Sequence, residues 1–178
     1  KWLQIIVTRY IELFRGTPLL VQLFLIYYGL PSVGIVLNQT TSAYLAMGLN
    51  SAAYQAEYLR GAIQSIGDSQ MTAGRAIGLS RWQTIWYIIL PQALRLVIPA
   101  WSNEPISLLK TSAVAFLIAV QDLMAWSKWV ANKTYNPIGS YTAVAVIYLI
   151  LVFFMTLLLK WLERKTKIPG FEMETGIT

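Results

Sequence analysis

The sequence contains neither cysteine nor histidine. Without cysteine there is no disulfide framework, no thiol nucleophile and no thiolate to hold a metal. Without histidine the commonest general base and the commonest metal ligand are gone as well. These absences fit a chain with no catalytic residue, no metal and no cofactor. Charge is scarce too: Asp, Glu, Lys and Arg make up 12% of the residues and hydrophobic types 56%. An ordinary soluble domain carries about 25% charged residues. No G-x-x-x-x-G-K-[ST] phosphate loop occurs, so the chain does not hydrolyse a nucleoside triphosphate alone. Lys1 is not an initiator methionine, and no charged segment with a cleavage site follows it. The chain thus reads as beginning inside a longer protein.

What is present is long apolar stretches. Gly16 to Ala56 runs 41 residues without a charge, and Thr134 to Leu159 runs 26. About 20 apolar residues, at about 1.5 Å each, cross a hydrocarbon core of about 30 Å. A soluble helical domain of this length would have to bury two faces of nearly every helix. The expected fold is all-α, a polytopic transmembrane helical bundle forming one domain over residues 1–178. Spans are expected at about 17–37, 43–63, 93–120 and 141–159. Pro18 suits the first turn of the first span, and Gly29 and Pro31 are expected to distort its far end. The polar stretch Asn38 to Ser42 reads as a short turn. Pro99 and Pro105 fall inside the third span, where neighbours or water can satisfy the freed carbonyls.

Four spans alternate sides, so the basic residues can be sorted. Lys1, Arg9 and Arg15 precede the first span; Arg60, Arg75, Arg81 and Arg95 surround the loop between the second and third. Lys160, Arg164, Lys165 and Lys167 follow the fourth, so eleven of the fourteen basic residues share a side. Lys128 and Lys133 lie opposite, and Lys110 lies within the third span. Excess Lys and Arg marks cytoplasmic loops, which puts both chain ends and the middle loop in the cytoplasm. The basic residues flank helix ends, so the net charge of +6 does not point to nucleic acid. Tyr27, Tyr28, Trp126, Trp129, Tyr135 and Tyr141 near the outer ends, with Trp82, Trp86, Tyr87 and Trp161 near the inner ones, read as interfacial belts.

The middle loop is long for a simple connection. Two short helices fit residues 67–92. Asp68 or Ser69 is placed to cap the first, Gly78 to end it in a left-handed conformation. Ser80 and Gln83 form an S-x-x-Q capping box for the second, which is expected to stop at Pro91. An interfacial amphipathic hairpin is the structural alternative. This segment resembles the cytoplasmic signature of bacterial ABC-importer permeases, E-A-A, three residues, G, nine residues, I-x-L-P. Here the positions read Thr72-Ala73-Gly74, Gly78 and Ile88-Ile89-Leu90-Pro91. Thr72 replaces the motif's Glu and Gly74 its second Ala, so a salt bridge to the ATPase from position 72 is not expected.

The chain is more closely similar to the polar amino acid uptake subfamily, with its histidine, glutamine and arginine permeases. The resemblance is carried by Tyr10 to Gln22 (YIELFRGTPLLVQ), by Asn50 to Tyr54 with Glu57 to Gly61, by the elbow through Arg95, and by Asn103-Glu104 to Leu109-Lys110. It implies a permease subunit in a prokaryotic inner membrane, working by alternating access. Its implied partners are a dimer of ATPase subunits, a second permease subunit and an extracytoplasmic solute-binding protein. At least one further spanning helix is expected before the Y-I-E-L-F-R segment. Thr72, Ala73, Gly74, Gly78, Leu79 and Pro91 become the ATPase-coupling candidates.

Glu104 and Lys110 are the ionisable residues deep in the third span. A charge at mid-bilayer costs at least about 2.5–3.5 kcal/mol, so such groups face a partner or a watery cavity. Six residues apart, they stand roughly 240° apart around a helix and are badly placed to pair. Asn103, Glu104 and Lys110, with Asn50 and Tyr54 one turn apart in the second span, are the substrate-binding candidates. Their alternative role is polar contact between helices or subunits. Glu57 and Arg60 read as a boundary ion pair. Two other functional classes stay open: an ion-coupled secondary carrier, and a silent structural half of a heteromeric permease.

Overall fold

The computed structural model describes residues 1–166. Lys167 and the rest of the tail lie outside the described residues. Within them the chain is helical, without a strand, and it divides into two compact units.

One unit comprises Lys1–Glu57 and Glu104–Met155. Helix α1 spans Trp2–Gly16, and α2 spans Leu19–Phe24. Between them Thr17 and Pro18 are extended, because proline cannot supply the N–H that would continue α1. The expected distortion at the far end of the first span takes a definite form. A π turn occupies Leu25–Gly29, a 3₁₀ turn containing Pro31 occupies Leu30–Val33, and Gly34 ends it with φ 86°. Helix α1 and the Leu19–Val33 segment meet at 107°.

Helix α3 spans Gln39–Ser65, so the polar stretch expected as a turn is instead its first turn. The reason is a cap: Asn38 Oδ1 accepts from Thr41 N at 2.8 Å, and Ser42 Oγ donates to the Asn38 carbonyl at 2.9 Å. The core of this unit gathers Leu23, Ala43, Ala46, Ala115 and Ile118. Lipid tails are as apolar as leucine, so helices in a bilayer gain from close packing rather than from leaving water. The small buried residues of α3 (Ser42, Ala43, Ala46, Ser51 and Ala53) allow that approach.

Helix α7, Leu123–Thr134, is capped by Asp122, whose Oδ1 accepts from Ala125 N at 2.7 Å. Helix α8, Pro137–Thr166, starts before the expected position 141 and ends beyond 159. Asn136 caps it through Gly139 N at 2.9 Å, and Pro137 takes the first helical position, where its missing N–H is not needed. Leu149, Phe153 and Phe154 on α8 are exposed, as a lipid-facing surface requires. Lys133 Nζ lies 4.4 Å from the centre of the Trp129 ring.

The other unit comprises Tyr58–Asn103 and, among the described residues, 156–166. It holds the end of α3, helix α4 (Gly67–Ala76), helix α5 (Arg81–Thr84), a π turn over Ile85–Ile89 and the start of helix α6 (Leu90–Thr111). Ile66, Ile89 and Ala93 form its core, with Ala62, Met71, Ile85 and Leu96 packed around them. Among the described residues, two continuous helices qualify by length and apolarity to cross a membrane, Arg81–Ile118 and Pro137–Lys165, and α1 with Leu19–Val33 qualifies as a bent pair. Helix α3 has 27 residues, about 40 Å at 1.5 Å each. It has the length, but its small and polar residues keep it from qualifying by composition.

Candidate functional site

Three groups of residues carry candidate chemistry, and the first is the elbow. The cap expected from Asp68 or Ser69 is not made. Only Ile66 separates α3 from α4, and it is itself helical (φ −70°, ψ −25°), so no extended residue is left to act as a side-chain cap. The other end follows expectation. Gly78 has φ 86°, its N–H donates to Arg75 O at 3.0 Å, and Leu79 N–H donates to Gly74 O at 3.1 Å. These two bonds satisfy the last carbonyls of α4, and the left-handed residue between them favours glycine. The capping box also forms: Gln83 N donates to Ser80 Oγ at 3.3 Å, and Ser80 N to Gln83 Oε1 at 2.8 Å.

The helix that starts at Arg81 does not stop at Pro91; it continues to Ile118. A proline inside a helix removes one hydrogen bond and collides with the carbonyl four residues back. The π turn over Ile85–Ile89 opens the helix just before that position. Gln92 Nε2 then donates to Ile88 O at 2.9 Å, supplying a donor beside the proline.

Among the coupling candidates, Thr72, Ala73, Gly78 and Pro91 are exposed, Leu79 is half-buried and Gly74 is buried. The Thr72 hydroxyl is spent on the Asp68 carbonyl at 3.0 Å. The outward face of the elbow is apolar: Ile77 is 74% exposed and Trp82 70%. Thr84, which the motif reading passes over, is fully buried against Gly74.

The second group ties α1 to α2. Gln22, only 6% exposed, donates through Nε2 to Phe14 O at 2.8 Å, Thr17 O at 3.0 Å and Thr17 Oγ1 at 2.8 Å. Asn50 Nδ2 donates to Phe14 O at 3.0 Å and Gln22 Oε1 at 3.1 Å. Those carbonyls belong to the frayed end of α1, and leaving a buried one unpaired costs about 1–3 kcal/mol. Arg15 lies over the Tyr54 ring at 5.5 Å, with its Nη1 3.6 Å from Glu57 Oε1. Asn50 and Tyr54 therefore contribute to this joint. Arg60 also donates to Gln64 Oε1 at 2.6 Å. The sequence signal for Gln22 is its place as the one amide in the apolar run Leu19–Phe24.

The third group lies on α6. Glu104 is 8% exposed, and among the described residues no hydrogen bond or ion pair engages its carboxylate. Asn103 is exposed, its Nδ2 donating to Pro99 O at 3.3 Å. Lys110 is exposed, and among the described residues no ion pair joins it to Glu104, in keeping with their angular separation. No group of His, Cys, Asp or Glu suited to a metal occurs among the described residues.

The sequence model for the binding-protein-dependent transport system inner membrane component matches residues 1–168. The probable amino-acid permease protein YxeN of Bacillus subtilis (strain 168) is 40% identical over 163 residues, 90% of this chain and 73% of the relative. The glutamine transport system permease protein GlnP of Escherichia coli (strain K12) is 38% identical, over 89% of this chain and 74% of its own. A solved amino acid ABC transporter with histidines superposes with a TM-score of 0.84 at 38% identity, covering 89% of this chain and 74% of that one. The MetNI methionine ABC transporter superposes at 0.74 with 22% identity, over 90% and 74% of the two chains; that likeness concerns the fold alone.

Proposed function

Because the chain belongs to the binding-protein-dependent transport system inner membrane components, we propose that it is the permease subunit of an ATP-driven importer of polar amino acids, with the residue roles given below. It is an integral membrane protein of the amino-acid ABC importer class and not itself an enzyme; ATP hydrolysis belongs to separate ATPase subunits. An external solute-binding protein delivers the substrate. The finer assembly is two ATPase subunits beneath this chain and a second permease subunit, alike or homologous. Residues 1–178 form one transmembrane domain in the inner membrane, with both ends of the chain cytoplasmic.

The observation that carries this reading is the elbow. The elbow has an exposed apolar face, and its capped second helix is the start of a continuous 38-residue helix. Nucleotide-driven closure of the ATPase would move α4, and the helix from Arg81 would carry that movement to the passage. Thr72, Ala73, Gly78, Leu79 and Pro91 then shape or present the docking face. Glu104, a buried residue whose carboxylate has no hydrogen bond or ion pair among the described residues, takes the role of holding a substrate ammonium, with Asn103 beside it. Asn50 and Tyr54 hold the α1–α2 joint, and Lys110 is the weakest substrate candidate because it is exposed away from Glu104.

Reconstitution tests the assignment. With its ATPase and binding protein in vesicles, the chain should take up a polar amino acid only when ATP is supplied. Uptake should survive an ionophore that collapses proton and sodium gradients. Gradient-driven uptake without ATP would mark an ion-coupled carrier instead.

Orientation has its own test, made clean by the absence of cysteine. A single Asn132→Cys should react with an impermeant maleimide on intact cells, and a cysteine introduced after Lys167 should not. The reverse pattern would overturn the charge-based topology.

A further inference from the structure

Gly74 has no room for a side chain. A Cβ built on it would lie 2.5 Å from Thr84 Cγ2, 2.8 Å from Thr84 Oγ1 and 3.1 Å from Thr84 Cβ. Thr84 is not free to swing aside. It is fully buried, it is β-branched, and its hydroxyl donates to Ser80 O at 3.0 Å. That bond lies within the same turn as the Ser80–Gln83 capping box, and the Gly74 carbonyl accepts the Leu79 N–H that closes α4. Helices α4 and α5 therefore meet with no spare room at one glycine facing one immobilised threonine, each adjoining a turn motif.

We propose that Gly74 and Thr84 are the positioning pair that locks the two elbow helices into one rigid lever, so that Gly74 answers to Thr84 and not to the ATPase. The proposal rests on the coupling role assigned to the elbow above. A lever transmits displacement only if its angle does not yield. A glycine against a fixed threonine gives backbone-to-side-chain contact with no intervening chain to flex. The pair also accounts for the departure of position 74 from the E-A-A pattern: with Thr84 opposite, alanine would force the helices apart. Substituting the motif's own residue is then the disruptive change.

The test uses the full complex in proteoliposomes, reading co-purification of the ATPase and amino acid uptake per ATP hydrolysed. Gly74→Ala should keep the ATPase bound while uptake per ATP falls about tenfold or more, as overpacking of a tight contact implies. Thr84→Ala should lose about threefold to tenfold, less than Gly74→Ala, because it opens a gap at the contact without forcing the helices apart. The double variant Gly74→Ala/Thr84→Ala should recover to the level of Thr84→Ala, because the new methyl fills the space released. Normal coupling in Gly74→Ala would overturn the proposal. So would a double variant no better than Gly74→Ala, which would place position 74 against the ATPase. If Gly74→Ala loses the ATPase altogether, restored binding in the double variant supports the pair and continued loss overturns it. Wild-type complex measured alongside separates the two levels: failure there to bind an ATPase or to transport overturns the functional reading and this inference with it.

Discussion

Replacing Gly78 by proline is expected to abolish coupled transport while leaving the chain in the membrane. Gly78 sits at φ 86° and donates its N–H to Arg75 O at 3.0 Å. Proline holds φ near −65° and has no N–H, so neither feature survives. It also pushes the preceding residue out of the helical region, and here that residue is Ile77, at φ −90° and ψ 14°. The cost is on the order of 3 kcal/mol, about a hundredfold in the population of a correctly shaped elbow. Uptake per ATP should fall accordingly. Membrane insertion should not change, because the apolar runs that cross the bilayer are untouched. Gly78→Asn is the matched control: asparagine tolerates the left-handed region and keeps its N–H, so it should retain most of the coupling. Coupled transport by the proline variant would remove the elbow from the mechanism. Equal loss in both variants would mean that the side-chain-free surface at Gly78 matters rather than its conformation.

Glu104→Gln should lower uptake by about tenfold to a hundredfold, the range that follows from losing one charge-assisted hydrogen bond of about 1.5–3 kcal/mol. Glutamine keeps the shape and removes the charge, so packing on α6 is preserved. Burial of an unpaired carboxylate is unfavourable in any setting and more so within a bilayer. Glu104 is buried as a residue and no ion pair engages it among the described residues, so in the proposed role its carboxylate is open to a cation. On the proposed reading that cation is the substrate ammonium. Expression and association with the ATPase should remain near wild type, and the loss should be greatest for cationic amino acids. Normal uptake would assign Glu104 to a polar contact. A failure to assemble with the second permease subunit would put it at the interface between them.

Much of the elbow was legible before any coordinates. The left-handed glycine at Gly78 and the Ser80–Gln83 box are local features, each decided by residues within one turn of one another, and both appear as read. The cap at Asp68 or Ser69 did not, because capping needs an extended residue and the chain passes from α3 into α4 through a single helical residue, Ile66. Pro91 was read as a stop for an equally local reason. In place, the π turn before it accommodates the proline, and the helix runs on. The polar stretch after Asn38 reads as a turn when only composition is weighed; Asn38 itself turns it into a capped first turn.

The sequence by itself determined the all-helical membrane class, the placing of the apolar runs, the family and the positions of both elbow turns. These depend on composition, on charge-free length and on side chains acting on backbone a few residues away, and such quantities survive without knowledge of the fold. Tertiary structure alone decided which polar residues are already spent and which are not. Asn50 looked like a lining residue and is engaged by Phe14 and Gln22, 36 and 28 residues away. Gln22 looked unremarked in an apolar run and holds the end of α1. Gly74 looked like a surface position of a docking motif and is buried against Thr84. A residue's partner across a helix pair is set by packing angle and close approach, and neither is written in the spacing of a single strand of sequence.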